Sequence, residues 1–196
     1  MNESENHKLV IITAPSGSGK TTIVNFLLKD NPELAFSISA CTRKAREGEV
    51  NGVNYYFIPL EEFTRKIANH EFAEFEMVYE GKYYGTLKSE LNRIIENNQV
   101  PLVDIDVQGA LRLKKHYGEN ALTLFIQAPS IEVLEQRLKS RGTETEQSLA
   151  ERIDKAKEEL KFANLFDYII VNDDLQDACE ASKDLIHEFL KDSSYF

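Results

Sequence analysis

Apolar residues along the chain gather in short continuous runs, Leu9 to Thr13, Ala35 to Ala40, Val100 to Ile105, Ala121 to Ile126 and Tyr168 to Val171, each bounded by turn-forming or polar residues. Runs of this length without strict alternation suit strands buried on both faces. Between them, helical patterns occupy about 21–29, 107–116, 130–140, 147–163 and 175–190. Strand and helix therefore take turns, which predicts an α/β protein with helices packed on a parallel central sheet, a three-layer sandwich.

That rhythm breaks between about 36 and 88. Short aromatic strand-like runs appear there (Tyr55-Tyr56-Phe57, Phe72 to Val78, Lys82-Tyr83-Tyr84), with glycine turns at Gly48, Gly52, Gly81 and Gly85 and one helical pattern near 60–69. The stretch reads as an inserted, mostly β lobe. A second excursion, Arg141-Gly142-Thr143-Glu144-Thr145-Glu146, is polar, lies between two helical patterns and is flanked by arginines. It reads as a mobile lid over about 137–152. The expected organisation is thus a core of residues 1–35 and 89–196 carrying that lid, and a lobe of residues 36–88, with no repeat or low-complexity tract dividing the chain further.

The first apolar run leads directly into Ala14-Pro15-Ser16-Gly17-Ser18-Gly19-Lys20-Thr21, and the first helical pattern begins there. Small residues let a loop curl until successive N–H groups face phosphate oxygens; a lysine adds a point charge and a hydroxyl can reach a hard cation. The segment reads as a phosphate-binding P-loop, which makes the expected fold of the P-loop NTPase type and the expected ligand a nucleoside triphosphate. Ala14 stands where the G-x-x-x-x-G-K-[ST] pattern has its first glycine, and the flanking strand and helix sustain the reading. The bland alternative is a Gly/Ser turn with a solvated lysine. A cation on the first turn of a helix opposes the dipole, however, and calls for an anionic partner.

Composition narrows the classes. At 196 residues with 42% hydrophobic positions, the chain suits one domain with excursions. Its 23 basic and 33 acidic residues leave a net charge of −10, which argues against general binding to nucleic acid or anionic membranes. No apolar run approaches the roughly 20 residues that span a bilayer. Met1-Asn2-Glu3-Ser4-Glu5-Asn6 is polar and acidic, unlike a secretory signal, so a cytoplasmic location is expected. Cys41 and Cys179 lack any zinc-binding spacing and read as idle thiols, and none of His7, His70, His116 and His187 is spaced for a metal or a catalytic pair.

Several clusters carry candidate chemistry. Leu102-Val103-Asp104-Ile105-Asp106 is a strand ending in two acids at the sheet edge where ligands bind. Strand alternation predicts that Asp104 and Asp106 share a face, with an acid there holding Mg²⁺ beside Thr21, partly through water; helix capping is the competing role for Asp106. Arg43 and Arg46 suit a phosphate monoester dianion, although such pairs are often mere surface charge. Tyr55 and Tyr83-Tyr84-Gly85-Thr86 could add hydroxyls. Arg137, Arg141 and Arg152 surround the lid, and the last two are the candidates for charge on a transferring phosphoryl group, while Arg137 fits a basic helix face. Glu74, in Phe72-Ala73-Glu74-Phe75, is on its own an exposed acid, yet a carboxylate accepts well from the N1–H and N2–H₂ edge of guanine.

Taken in order, these segments resemble a guanylate kinase over nearly the whole chain, from about Leu9 to about Leu190. The carrying residues are the P-loop, Phe36 through Arg43 and Arg46 to Gly52, Tyr55, Glu74, Tyr83 to Thr86, Asp104 to Gly109, Arg141 to Thr145, Arg152, and Val171-Asn172-Asp173-Asp174. The resemblance implies ATP-dependent phosphorylation of GMP, with Mg²⁺ accompanying ATP, the lobe holding GMP and the lid covering ATP. It implies that ATP is held from Ala14 through Thr21 and Thr22, by Arg141, and at its adenine edge near Asn172 and Asp173. It assigns the GMP phosphate to Arg43, Arg46, Tyr55 and Tyr84, and the guanine to Ser39, Glu74, Thr86 and Asp106, with Gly85 and Asp104 also among the GMP-binding residues. Lys20, Arg46, Arg141 and Arg152 become the catalytic group, and Thr21 with Asp104 the metal site. ATP and GMP would be the partners of a monomer or homodimer, with no nucleic acid and no membrane. The chain departs from the family pattern at Ala14, at Ala45 where many members have proline, at Cys41, and in a longer loop before Tyr83. A protein-binding module without catalysis, or a kinase for another acceptor, are the competing readings.

Overall fold

In the computed structural model, residues 7–140 and 146–191 are described. The chain runs β1 (Leu9–Thr13), α1 (Lys20–Asp30), β2 (Leu34–Phe36), β3 (Ala40–Cys41), β4 (Tyr56–Phe57), α2 (Leu60–Ala68), β5 (Phe72–Tyr79), β6 (Lys82–Leu87) and α3 (Lys88–Glu96). It continues with β7 (Val100–Asp104), α4 (Val107–Tyr117), β8 (Ala121–Gln127), α5 (Ile131–Ser140), α6 (Glu146–Leu160), β9 (Tyr168–Val171) and α7 (Leu175–Lys191). A parallel five-stranded sheet has the order β2-β7-β1-β8-β9, and a separate four-stranded sheet has the order β4-β3-β6-β5.

The two sides of the main sheet explain why its strands read as continuous apolar runs. Val10 and Ile12 of β1 pack into one core with Ile23, Val24 and Leu27 of α1 and Ala178, Cys179 and Ile186 of α7. Leu9 and Ile11 point the other way, into a second core with Leu91, Ala110 and Leu113. Period-two alternation therefore still operates, but both faces are dry. Each fully buried Leu or Ile contributes about 1.5–3 kcal/mol of transfer free energy, so β1 is pinned from both sides and fixes the position of the loop leaving it. The second sheet has its own small core, in which Phe63 of α2 stacks on Phe72 of β5 at a centroid distance of 4.3 Å.

Three expectations are corrected. The run Ala35 to Ala40 is not one strand: β2 ends at Phe36 on the main sheet and β3 begins at Ala40 on the other. Apolar content alone does not reveal this crossing, since both ends of the run are strand. α3 was not expected, because the buried Glu90 interrupts the apolar stripe formed by Leu91 and Ile94. β9 is not buried on both faces: as an edge strand it leaves Tyr168, Ile169 and Val171 43%, 38% and 48% exposed. The centre of the expected lid, Arg141 to Thr145, lies outside the described residues. Among the described residues no helix is long and apolar enough to cross a membrane.

Candidate active site

The loop from β1 to α1 is shaped by two left-handed glycines, Gly17 at φ 94° and Gly19 at φ 92°. A Cβ on Gly19 would stand 2.2 Å from Asn172 Nδ2, so that position excludes a side chain by space as well as by backbone conformation. Ala14 does not have a positive φ and packs against the first core, which is why alanine is tolerated where the pattern has glycine. Asn172, just beyond β9, donates from Nδ2 to the Ser18 carbonyl at 2.7 Å and braces the loop from beneath. The N-cap of α1 is Gly19, and among the described residues no side chain caps this terminus, which leaves its first-turn amides and its dipole for an anion. Lys20 Nζ pairs with Asp104 and lies 3.5 Å from the Ile105 carbonyl, while Arg152 on α6 donates to Ser16 Oγ at 3.1 Å.

One cavity of about 400 Å³ opens over this loop, lined from Ala14 to Thr21. Its other walls include Asp104 and Asp106 from the sheet end, Ser39, Tyr55, Glu74, Tyr84 and Gly85 from the second sheet and its approaches, and Arg152 from α6. Sequence-distant candidates thus meet in one space. Asp106 arrives differently than strand alternation predicts. β7 ends at Asp104, and Asp106 is the N-cap of α4, its Oδ1 accepting from Gln108 N at 2.9 Å and Gly109 N at 3.1 Å. It caps the helix, the competing role, and lines the cavity as well.

Glu74 is not an exposed acid: it is 6% exposed. Its Oε1 accepts from the Thr86 amide at 3.1 Å and the Thr86 hydroxyl at 2.9 Å across the β5–β6 pair. Burial pushes its carboxyl up to about 7; the Asp106 charge adds to this, and the Thr86 hydrogen bonds and the Arg112 charge oppose it. Gly85 has to be small, because a Cβ there would meet the Glu74 carbonyl at 2.9 Å. Thr86 itself is fully buried and reaches the site through Glu74.

Arg43 is oriented by a partner to which the sequence reading gave no role. Glu49, six residues on, takes both guanidinium ends of Arg43, one at 2.7 Å, and also accepts from the Arg46 amide at 2.7 Å. Arg43 Nε donates to Tyr84 Oη at 3.1 Å, and its guanidinium carbon lies 4.8 Å from the Tyr55 ring centroid. The Arg43 hydrogen bond holds the Glu49 carboxyl well below the usual range. Arg46 is exposed and, like Thr22 and Asp173, does not line the cavity. Asn172 is buried beneath the loop and does not line it either, and Arg137 donates to the Asn172 carbonyl at 3.0 Å, as a basic structural residue would. Arg141 lies outside the described residues. Arg112 of α4, unremarked in the sequence, reaches Glu76 at 2.7 Å and the Phe75 carbonyl at 3.1 Å, with Glu74 at 3.8 Å.

Among the described residues no group of three or more His, Cys, Asp or Glu could hold a metal by itself. Thr21 and Asp104 both line the cavity beside the P-loop. A hydroxyl and a carboxylate are hard oxygen donors, a set that fits a magnesium ion shared with substrate phosphates rather than one caged by protein.

A P-loop at the carboxyl end of a parallel sheet, facing a polar pocket on a second sheet across one cavity, defines a nucleotide-phosphate-binding α/β protein. The family model described as guanylate kinase matches residues 6–189. A guanylate kinase of Bacteroides thetaiotaomicron is 50% identical over 183 residues, covering 93% of this chain and 90% of that protein. One of Porphyromonas gingivalis is 49% identical over 184 residues, covering 93% and 98%. The crystal structure of guanylate kinase from Anaplasma phagocytophilum superposes with a TM-score of 0.78 at 28% identity, covering 96% of this chain and 89% of that one. The chain belongs to the guanylate kinase family, and it is an enzyme of the nucleoside monophosphate kinase class.

Proposed function

We propose that the chain transfers the γ-phosphoryl group of ATP directly to the phosphate of GMP, giving ADP and GDP in cytoplasmic purine nucleotide metabolism. The observation that carries this is the single cavity joining the P-loop to Ser39, Tyr55, Glu74, Tyr84 and Gly85. Two phosphate-bearing ligands held on its two sides would meet end to end, which is the geometry in-line transfer needs.

The amides of the P-loop and the Lys20 ammonium receive the outer ATP phosphates, with Lys20 exchanging part of its contact with Asp104 for phosphate. Glu74, oriented by Thr86, keeps Oε2 to accept from guanine, and Ser39 and Asp106 flank it. Arg43, fixed by Glu49, joins Arg46, Tyr55 and Tyr84 in holding the acceptor phosphate. An oxygen of that phosphate attacks the γ-phosphorus while the bond to the β,γ-bridging oxygen breaks, and the electron pair leaves with ADP. The acceptor phosphate is already ionised at neutral pH, so no general base is required. Arg152 beside Ser16, with Arg46 and Arg141, offsets charge on the equatorial oxygens. Magnesium held near Thr21 and Asp104 would neutralise the β- and γ-phosphates. Exclusion of water by the lobe and lid keeps the enzyme from hydrolysing ATP.

A coupled assay offering ATP with GMP, AMP, CMP or UMP is the direct test. GMP should be turned over far faster than the other three. Preference for AMP would sink the assignment of guanine to Glu74, and no turnover of any acceptor would favour a binding module.

A further inference from the structure

We infer that Glu90 is a positioning residue for the acceptor nucleotide, anchoring to α3 both the crossing that carries Ser39 and the strand edge that carries Tyr55. This rests on the reading that those two residues face GMP. Glu90 is 3% exposed, and four donors converge on its carboxylate. Oε1 accepts from the Ile38 amide at 3.1 Å and Arg93 Nη2 at 2.8 Å; Oε2 accepts from Tyr56 Oη at 2.9 Å and Arg93 Nε at 2.9 Å.

The three segments so joined form one mechanical connection between the two sheets, beside the packing of α4 on β5. Ile38 lies in the non-strand crossing from β2 on the main sheet to β3 on the other, Tyr56 begins β4, and α3 sends Leu91 into the main core. Tyr56 also donates its amide to the Ser39 carbonyl at 2.9 Å, so Ser39 is held through the preceding amide and through its own carbonyl. Both Ser39 and Tyr55, each next in sequence to a residue that Glu90 holds, line the cavity.

Bulk stability gives no reason for this arrangement. Burying a carboxylate costs several kcal/mol before its partners repay it, and an apolar side chain of similar volume often does as well. What the carboxylate adds is direction: its two oxygens fix a backbone amide and a phenol at set angles, as preorganised sites require. Burial pushes the Glu90 carboxyl up, but Arg93, the Ile38 amide and the Tyr56 hydroxyl outweigh it and leave it below the ordinary range, so it stays ionised at neutral pH.

The test compares KM for GMP, KM for ATP, kcat and Tm in the unaltered chain, Glu90→Gln and Tyr56→Phe. Glu90→Gln should raise KM for GMP about tenfold while KM for ATP and kcat at saturating GMP stay within about twofold, because the charged hydrogen bonds are lost on the acceptor side alone. Tyr56→Phe, which removes one hydroxyl from the same carboxylate, should raise KM for GMP about threefold. Equal rises for both substrates, or a lowered Tm with KM for GMP unmoved, would overturn the inference. If Glu90→Gln does not fold, Tyr56→Phe decides alone, and an unmoved KM refutes the role. Absence of GMP turnover in the unaltered chain would overturn the functional reading and this inference together, whereas normal turnover with unmoved variants would overturn only the latter.

Discussion

With guanine bound as proposed, Glu74 concentrates the conflict between stability and recognition in one side chain. Its carboxyl, pushed up to about 7 by burial, is partly protonated at neutral pH in the empty protein, yet accepting from guanine requires the carboxylate. KM for GMP should therefore fall as pH rises from about 6 to 8, and a profile of kcat/KM for GMP measures this directly. Stability moves the opposite way. The folded value lies above the ordinary 4.5, so the stabilisation is complete below 4.5 and is lost as pH climbs through 7. Glu74→Gln should consequently be more stable than the unaltered chain at pH 8, by up to about 3 kcal/mol, and indistinguishable from it near pH 4, while using GMP poorly. Thermal unfolding at both pH values, with GMP kinetics, checks it; a variant less stable at pH 8 would show that the buried charge is fully compensated.

At the scale of elements, the unit formed by β1, its loop and α1 behaves as one device. Gly19 and Ala14 predict opposite sensitivities within it. Gly19→Ala should abolish ATP binding, since the new Cβ would displace the Asn172 amide that braces the loop. Ala14→Gly, which restores the common spelling, should leave kcat within about twofold and lower stability by about 0.5 kcal/mol, because Ala14 needs no left-handed backbone and glycine only loosens the unfolded chain. Nucleotide binding and Tm of the two variants distinguish the cases, and a clear gain of activity in Ala14→Gly would contradict this account. These elements were legible because each announces itself locally: continuous apolar strands, a glycine-rich turn, a helical stripe. α3 and the β2 to β3 crossing were not, because Glu90 and Ile38 make sense only through partners far along the chain, Tyr56 and α3. Glu74 was chosen for its chemistry, but its burial comes from Thr86 and Gly109 packed around it, which no local pattern shows.

At the scale of the whole molecule, the cavity draws on both sheets and on α6. A ligand that bridges the two sides should stabilise the fold more than one that fills a single side. A bisubstrate nucleotide joining adenosine to guanosine through a phosphate chain is expected to raise Tm more than saturating GMP or a non-hydrolysable ATP analogue alone; no increase beyond either would mean the two sides do not share one ligand space. Strand order carries one more consequence, for synthesis. In the main sheet β7 separates β1 from β2, and β8 pairs on the other side of β1, so neither early strand has a neighbour until residue 104 has left the ribosome. The four-stranded sheet lies entirely within residues 40–87. A nascent chain growing from its N-terminus can therefore complete the four-stranded sheet while the strand that leads into the P-loop is still waiting for its first partner.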